Sequence, residues 1–394
     1  MRTSDLPRAG GALLALGSLL PLAAAAELEL RPYAEARAYY DSNVYSFSGR
    51  DEALARNGDD QLSDRVMRGL AGLQADYGFS RQSLGLTAEG RRLIYDHFSQ
   101  LDHNEHLVAL AYKGRYGEDV SSRLYASQER RMASFADRDT TALTLERERL
   151  GGGELGFAPG DDWRVELGAR VRRLLSPLPG LPDFTLAENG ATAGLRYVDG
   201  GPASFGLATE YLKGRFDGTP DQTRFDQYTA QLDARYEISG LTRMNGRLGY
   251  TRRNERNSAR ADVSTVTGSI GVQRNLSGVT SVELNAFRNV ESYLVGAQSV
   301  IDTGVRAALN WQRSLVTVST GVQWHRSDFQ IEPRREDRIT QAFFHVNLAP
   351  RRWLDVQPFV DYRNRSSNIA SERYHGVVAG LGLRVQFGGA EVAR

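Results

Sequence analysis

From about residue 60 onward the chain keeps one period, and that period is two. In 227–238 (QYTAQLDARYEI), Tyr228, Ala230, Leu232, Ala234, Tyr236 and Ile238 point one way. Gln227, Thr229, Gln231, Asp233, Arg235 and Glu237 point the other. Successive side chains of a strand leave on opposite faces, so this segment has one apolar and one charged face. The pattern recurs at 163–172, 301–312, 315–325, 353–363 and 376–387, while helical spacing is almost absent.

The connections alternate as well. Short ones such as Phe79-Ser80-Arg81-Gln82, Gly117-Glu118-Asp119, Ser239-Gly240 and Arg313-Ser314 fall between longer polar ones. The longer ones are 41–64, 95–102, 131–139, 174–184, 217–225, 253–262, 289–299, 326–338 and 364–373. Alternating strands with short turns on one side and long loops on the other predict an all-β transmembrane antiparallel up-and-down barrel with a polar lumen. Counting segments gives about 18 strands, plus or minus two. An even number puts both termini in the periplasm of a Gram-negative bacterium, with the barrel integral to its outer membrane. Trp163, Tyr197, Tyr211, Tyr236, Tyr250, Trp311, Trp324, Trp353 and Tyr362 fall near strand ends, where interfacial aromatic bands belong. A soluble β-sandwich or solenoid is the alternative; a soluble domain of this size should also carry helices.

The expected organisation is a secretory signal peptide over 1–26, the barrel over 27–387 and a short periplasmic extension over 388–394. Arg2 and Arg8 precede the short apolar run GGALLALGSLLPL, and Ala24 and Ala26 complete an A-x-A site. The barrel ends on Phe387, a terminal aromatic of the type read by barrel insertion machinery, although GGAEVAR follows it. There is no cysteine, hence no disulfide framework. A net charge of +1 argues against a nucleic-acid partner.

The polar faces supply the candidate site. Arg164, Glu166, Arg170 and Arg172 share one inward face; Asp233, Arg235 and Glu237 share another; Arg243, Asn245 and Arg247 follow. Arg306, Asn310, Asp355, Asp361, Arg363 and Arg384 continue round the wall. Guanidinium forks hold carboxylates and Asp or Asn bond hydroxyls, so this lining suits a hydrated, hydroxyl-rich or acidic solute. The same residues also serve simply to solvate the lumen and pair with one another.

The stretch YDHFSQLDHNEH, 95–106, holds half of the six histidines. His97 and His103 lack the short spacing of a zinc site, though Asp96, Asp102 and Glu105 would offer hard ligands. The structural reading is a hairpin loop in which Phe98 and Leu101 tuck back on the barrel and Asp96 or Asp102 holds the turn. No metal or cofactor is expected. No G-x-S-x-G elbow, P-loop, Rossmann fingerprint or EF-hand loop is present, so no enzyme is expected; His325 and His345 are candidate bases on polar faces without a partner placed by spacing.

Asp41, Asn43 and Tyr45 in DSNVYSFS, then Tyr95, Phe98, Leu101 and Asp102, resemble two motifs of the EpsL-type outer-membrane barrels of exopolysaccharide loci, a branch of the broader beta-barrel porin group. The resemblance covers roughly the first third of the chain after residue 26. It implies a role in secreting or assembling a surface polysaccharide. Its implied partners are outer-membrane lipid, the secreted polysaccharide and periplasmic or inner-membrane synthesis and export proteins; it supplies no catalytic residues. Three functions stay open: passive guidance of a polysaccharide, a general or substrate-specific diffusion porin, and a plugged structural or adhesive barrel. A porin commonly folds a long loop into its lumen, and 41–64 is the longest loop.

Overall fold

The computed structural model describes residues 27–138, 140–177, 183–198, 200–218, 223–256, 262–293, 298–330 and 334–387. The expected signal peptide (1–26) and C-terminal extension (388–394) lie outside them. Eighteen strands form one sheet that closes on itself, since β1 pairs with both β2 and β18. The first six are β1 (Glu27–Asp41), β2 (Asp64–Phe79), β3 (Gln82–Tyr95), β4 (His103–Tyr116), β5 (Val120–Met132) and β6 (Leu145–Phe157). Then come β7 (Trp163–Ser176), β8 (Phe184–Val198), β9 (Ala203–Asp217), β10 (Thr223–Ser239), β11 (Thr242–Glu255) and β12 (Val263–Ser277). The circle closes through β13 (Thr280–Tyr293), β14 (Gln298–Arg313), β15 (Val316–Phe329), β16 (Glu336–Arg351), β17 (Leu354–Ser367) and β18 (Tyr374–Gln386). Every pairing is antiparallel and joins neighbours in sequence, apart from the closing seam. No sheet edge is left among them.

The alternation decides which face is which. Met67, Val171, Leu207, Leu232, Leu248 and Leu284 stand exposed on the outer wall. So much contiguous apolar surface is stable only against lipid. On β10 the outward Tyr228 and Tyr236 lie near opposite ends of the strand. At about 3.3 Å per residue and roughly 40° of tilt, they bracket an apolar band of roughly 20 Å. Trp163 and Tyr197, directly opposite in register, join the band at the short-turn rim with rings 5.1 Å apart. Tyr211, Tyr250, Trp324 and Tyr362 lie with Tyr228 toward the other rim.

Turn chemistry fixes the short-turn rim. Ser80 and Ser314 adopt the left-handed backbone region in two-residue turns, and Gly117 and Gly200 do so in slightly longer ones. Several turns sit one residue later than the sequence suggests. The β10–β11 turn is Gly240-Leu241, because pairing continues through Ser239. Most long loops are shorter than expected for the same reason: strands of 13 to 17 residues run past the apolar band as charged ladders.

Two further features depart from the sequence reading. The loop after β1 contains a helix, α1 (Arg50–Asn57), closed by Gly58 in the left-handed region. Eight residues in a loop were too few to show a helical period. The β5–β6 connection runs to Thr144 rather than ending at 139.

Candidate functional site

The predicted lumen residues all take the face opposite the lipid-exposed side chains of their strands. Most have a polar or charged partner on a nearby strand. Arg172 Nε donates to Glu148 at 2.6 Å and its Nη1 to Glu188 at 3.3 Å. Arg170 donates to Glu210 at 2.6 Å, and Glu166 accepts from Arg196 at 3.5 Å. Arg164 faces Arg196 in register. Asp233 accepts from Arg247 opposite it at 3.2 Å, while Arg243 and Glu237 stand 3.8 Å apart and largely exposed. Arg235 faces Asn245. On the far wall Asn310 accepts from Ser319, Asp355 from Asn347, and Arg384 lies over the Tyr33 ring at 4.2 Å. Arg306 lies between Asn285 and Gln323 on its neighbours.

In the short-turn half Glu166, Asp233, Arg235 and Arg247 border a cavity of about 730 Å³. Seven arginine or lysine side chains line it, Lys113, Arg196, Arg235 and Arg247 among them, against the four carboxylates Glu154, Glu166, Glu210 and Asp233. The excess of cations gives this cavity a field favouring anions.

The long-loop half is narrowed by loop side chains. Tyr45 and Phe47 from the β1–β2 loop turn inward onto Val66, Leu93 and Tyr95, inward-facing residues of β2 and β3. The Tyr45 ring stacks on Phe47 at 5.3 Å, meets Phe98 edge-on at 4.9 Å and packs on Phe135 at 4.7 Å. Three loops thereby share one apolar cluster, in which Phe98 and Leu101 are fully buried. Burial of each such side chain contributes about 1.5–3 kcal/mol.

The motif polar groups hold this cluster. Arg363 Nη2 donates to both Asp41 carboxylate oxygens at 2.8 Å and to the Asn43 carbonyl. Asn43 donates to the Phe47 and His375 carbonyls and accepts from the Phe47 amide. Asp102 accepts from the Tyr95 amide at 2.8 Å, as one of the two expected turn-holders. Asp64, which the sequence reading did not single out, also holds the turn: it accepts from the His97 and Phe98 amides. All seven motif residues thus belong to one assembly.

The three histidines of 95–106 diverge. His97 pairs with Asp59 at 2.6 Å, buried His103 bonds the Leu101 carbonyl and Glu105, and His106 faces outward toward Gln128. No group of three or more metal-ligating side chains is found among the described residues. Two loop carboxyls, those of Asp59 and Glu52, are lowered. The Gln61 amide, then His97, lowers the Asp59 carboxyl below its ordinary range. Burial works against charge on Glu52, but the Ser48 amide and hydroxyl and Arg56 outweigh it and lower that carboxyl too. Burial pushes the Tyr45 phenol up.

A second inward element escaped the sequence reading. Gln298, Ser299 and Val300 are buried in succession, so both faces of the β14 start are covered. Tyr293 packs edge-on against Phe329 at 5.0 Å and borders a cavity shared with Tyr39 and Tyr95. The β13–β14 hairpin end therefore bends into the lumen. Its clamp is a polar chain: the Ser292 hydroxyl donates to Glu188 at 2.8 Å, Arg253 donates to Ser292 at 2.9 Å and to Glu255 at 2.9 Å, and Ser299 donates to Glu255 at 2.6 Å. Arg253 is fully buried, its guanidinium 3.4 Å from the centre of the Phe225 ring. The sequence reading set Arg253 and Glu255 in the loop 253–262, whereas β11 runs on to Glu255, so it could not show that strands β8, β11 and β13 meet there.

The candidate bases are inward as expected. Asp361 bonds His345 at 2.8 Å. Ser319 lies opposite His345 in register, but its hydroxyl donates to Asn310. His325 lies 3.5 Å from Gln323.

Residues 207–387 match a family model described as "Putative beta-barrel porin 2", which supports a β-barrel porin family; the EpsL-type motifs lie outside that span. No match is found among curated proteins. Two crystal structures of Pseudomonas aeruginosa OpdK, one with vanillate, superpose with a TM-score of 0.50 at 10% identity, over 91% of this chain and 99% of theirs. The siderophore receptor PirA of the same organism gives 0.46 at 9% identity over 91% and 80%. The likeness to OpdK shows the fold, that of an outer-membrane β-barrel.

Proposed function

We propose that the protein is a narrow diffusion porin for small hydrophilic anions. In this reading the short-turn rim and both chain ends face the periplasm, and the long loops face outward. The single observation that carries it is the clamped β13–β14 hairpin, which crosses the lumen to Glu188 above a cation-rich cavity. An inward-folded segment narrows a passage, and the paired but solvated arginines below can exchange their carboxylate partners for a passing anion. Binding stays weak because each arginine returns to its resident partner. The test is the reversal potential of the refolded protein in a bilayer across a potassium chloride gradient, which should take the sign of chloride permeability.

Polysaccharide passage is the second reading. What favours it is that all seven residues of the EpsL-type resemblance are structurally committed to one assembly at the lumen mouth. A polymer would need the hairpin and the loop cluster to swing out, so this reading requires periplasmic or inner-membrane partners to open the barrel. Acidic oligosaccharides that block current only after the Arg253 clamp is removed would support it.

A further inference from the structure

The charged ladders above the apolar band are not confined to the lumen. On the outer wall of β5–β7, at the long-loop end, Arg130 stands directly opposite Arg147, and Arg149 directly opposite Arg173. Like charges in direct cross-strand opposition are destabilising, and two adjacent pairs compound the cost. None of the four makes an ion pair with a carboxylate among the described residues; Arg149 donates only to Gln128, at 3.0 Å. Inward-facing arginines at the same height are treated differently, as the Arg172 pairs with Glu148 and Glu188 show. The outer cluster has been left open.

Its position says to what. Two residues below Arg173 on the same face is Val171, then Leu167, both about half exposed on the lipid-facing wall. Below Arg149 the outer face of β6 carries only Gly151 and Gly153 before Leu155. Leu124 and Val171 lean over that bare backbone, the nearest atoms to a side chain at either glycine. The wall thus offers a flat aliphatic surface capped by four guanidinium groups at headgroup height. A second opposed pair, Arg215 with Arg224, sits above Tyr211 and Tyr228 on β9–β10, although Arg215 there has Asp217 at 2.7 Å.

We propose that Arg130, Arg147, Arg149 and Arg173 form a binding site for the phosphate groups of an anionic membrane lipid, whose acyl chains lie along Val171, Leu167 and Leu155. Guanidinium groups match phosphate oxygens bidentately and are weakly hydrated, so they suit this interfacial role better than lysine. The proposal rests on the wall facing lipid and not on what the lumen conducts.

The test is native mass spectrometry of the full barrel refolded in neutral detergent. Three probes are added in turn: a bisphosphorylated glucosamine-based lipid, the same lipid with its phosphates removed, and inorganic pyrophosphate. The intact chain should retain the phosphorylated lipid at least tenfold more than the dephosphorylated one, and pyrophosphate should not compete at equal concentration. The R149Q/R173Q double variant should lose most of that preference, while R313Q, at the opposite rim, should keep it. Circular dichroism and heat-modified gel mobility confirm that each variant is a folded barrel. Equal retention of both lipids, or retention unchanged in R149Q/R173Q, overturns the proposal. Competition by pyrophosphate at equal concentration overturns the lipid assignment in favour of a free-anion site.

Discussion

Ser292 and Glu188 belong to strands β13 and β8, five places apart in the barrel wall, yet the serine hydroxyl donates to the glutamate at 2.8 Å. Such a bond exists only because the hairpin end has left the wall and entered the lumen. Glu188 also holds Arg172, so it ties the hairpin to the ladder that lines the passage.

Removing the clamp should open the passage. Arg253→Ala leaves Glu255 buried without its cation, a change that destabilises by roughly 3–5 kcal/mol. The cost should fall on hairpin docking rather than on the closed sheet. Single-channel conductance should rise and become noisier, with strand content by circular dichroism unchanged. Unaltered current levels and noise would show that the hairpin does not gate.

The apolar cluster at the mouth should behave as a local unit. Phe98→Ala removes a fully buried ring shared by three loops, worth roughly 3–5 kcal/mol. Limited proteolysis should then cut within 42–63, a segment resistant in the parent chain. Cleavage elsewhere in the barrel at the same rate would mean that the cluster supports the whole fold.

This cluster marks the boundary of what the sequence reveals. Alternation locates the strands because a two-residue period survives any tertiary context that keeps one face in lipid. It also assigns the faces of Arg170, Asp233 and Arg384, since the face follows from parity alone. It cannot say who meets across the lumen. Ser299 and Val300 are buried, and Ser292 and Tyr293 half-buried, by a bend of the hairpin, and no local pattern encodes that bend. The motif residues were legible as a group. The departure from alternation in NVYSF, three apolar side chains within a loop, was the available signal that the β1–β2 loop is buried.

The docking of that loop should weaken in acid. Asp59 and Glu52 have carboxyls lowered in the folded chain. Their contribution is therefore complete above the unfolded carboxylate values, about 4, and is lost as pH falls through the lower folded values. Amide exchange in α1, corrected for intrinsic rate, should lose protection below about pH 4 and not between 5 and 8. Asp59→Asn should remove part of this dependence. Loss of protection near neutral pH would assign the docking to other groups.

Charge in the lower lumen should set selectivity. Arg235 lines the cation-rich cavity opposite Asn245, with no carboxylate directly across from it in either neighbouring strand. Arg235→Glu should shift the reversal potential toward cations, and Arg170→Glu should do so further by also repelling Glu210. Glu237→Gln, exposed near the rim, should move it little.

The most direct test is the bilayer conductance and reversal potential of the refolded barrel, parent and Arg253→Ala side by side. A small, steady, anion-selective current that grows when the clamp is removed is the predicted result. A cation-selective current, or silence in both proteins, would contradict the porin account.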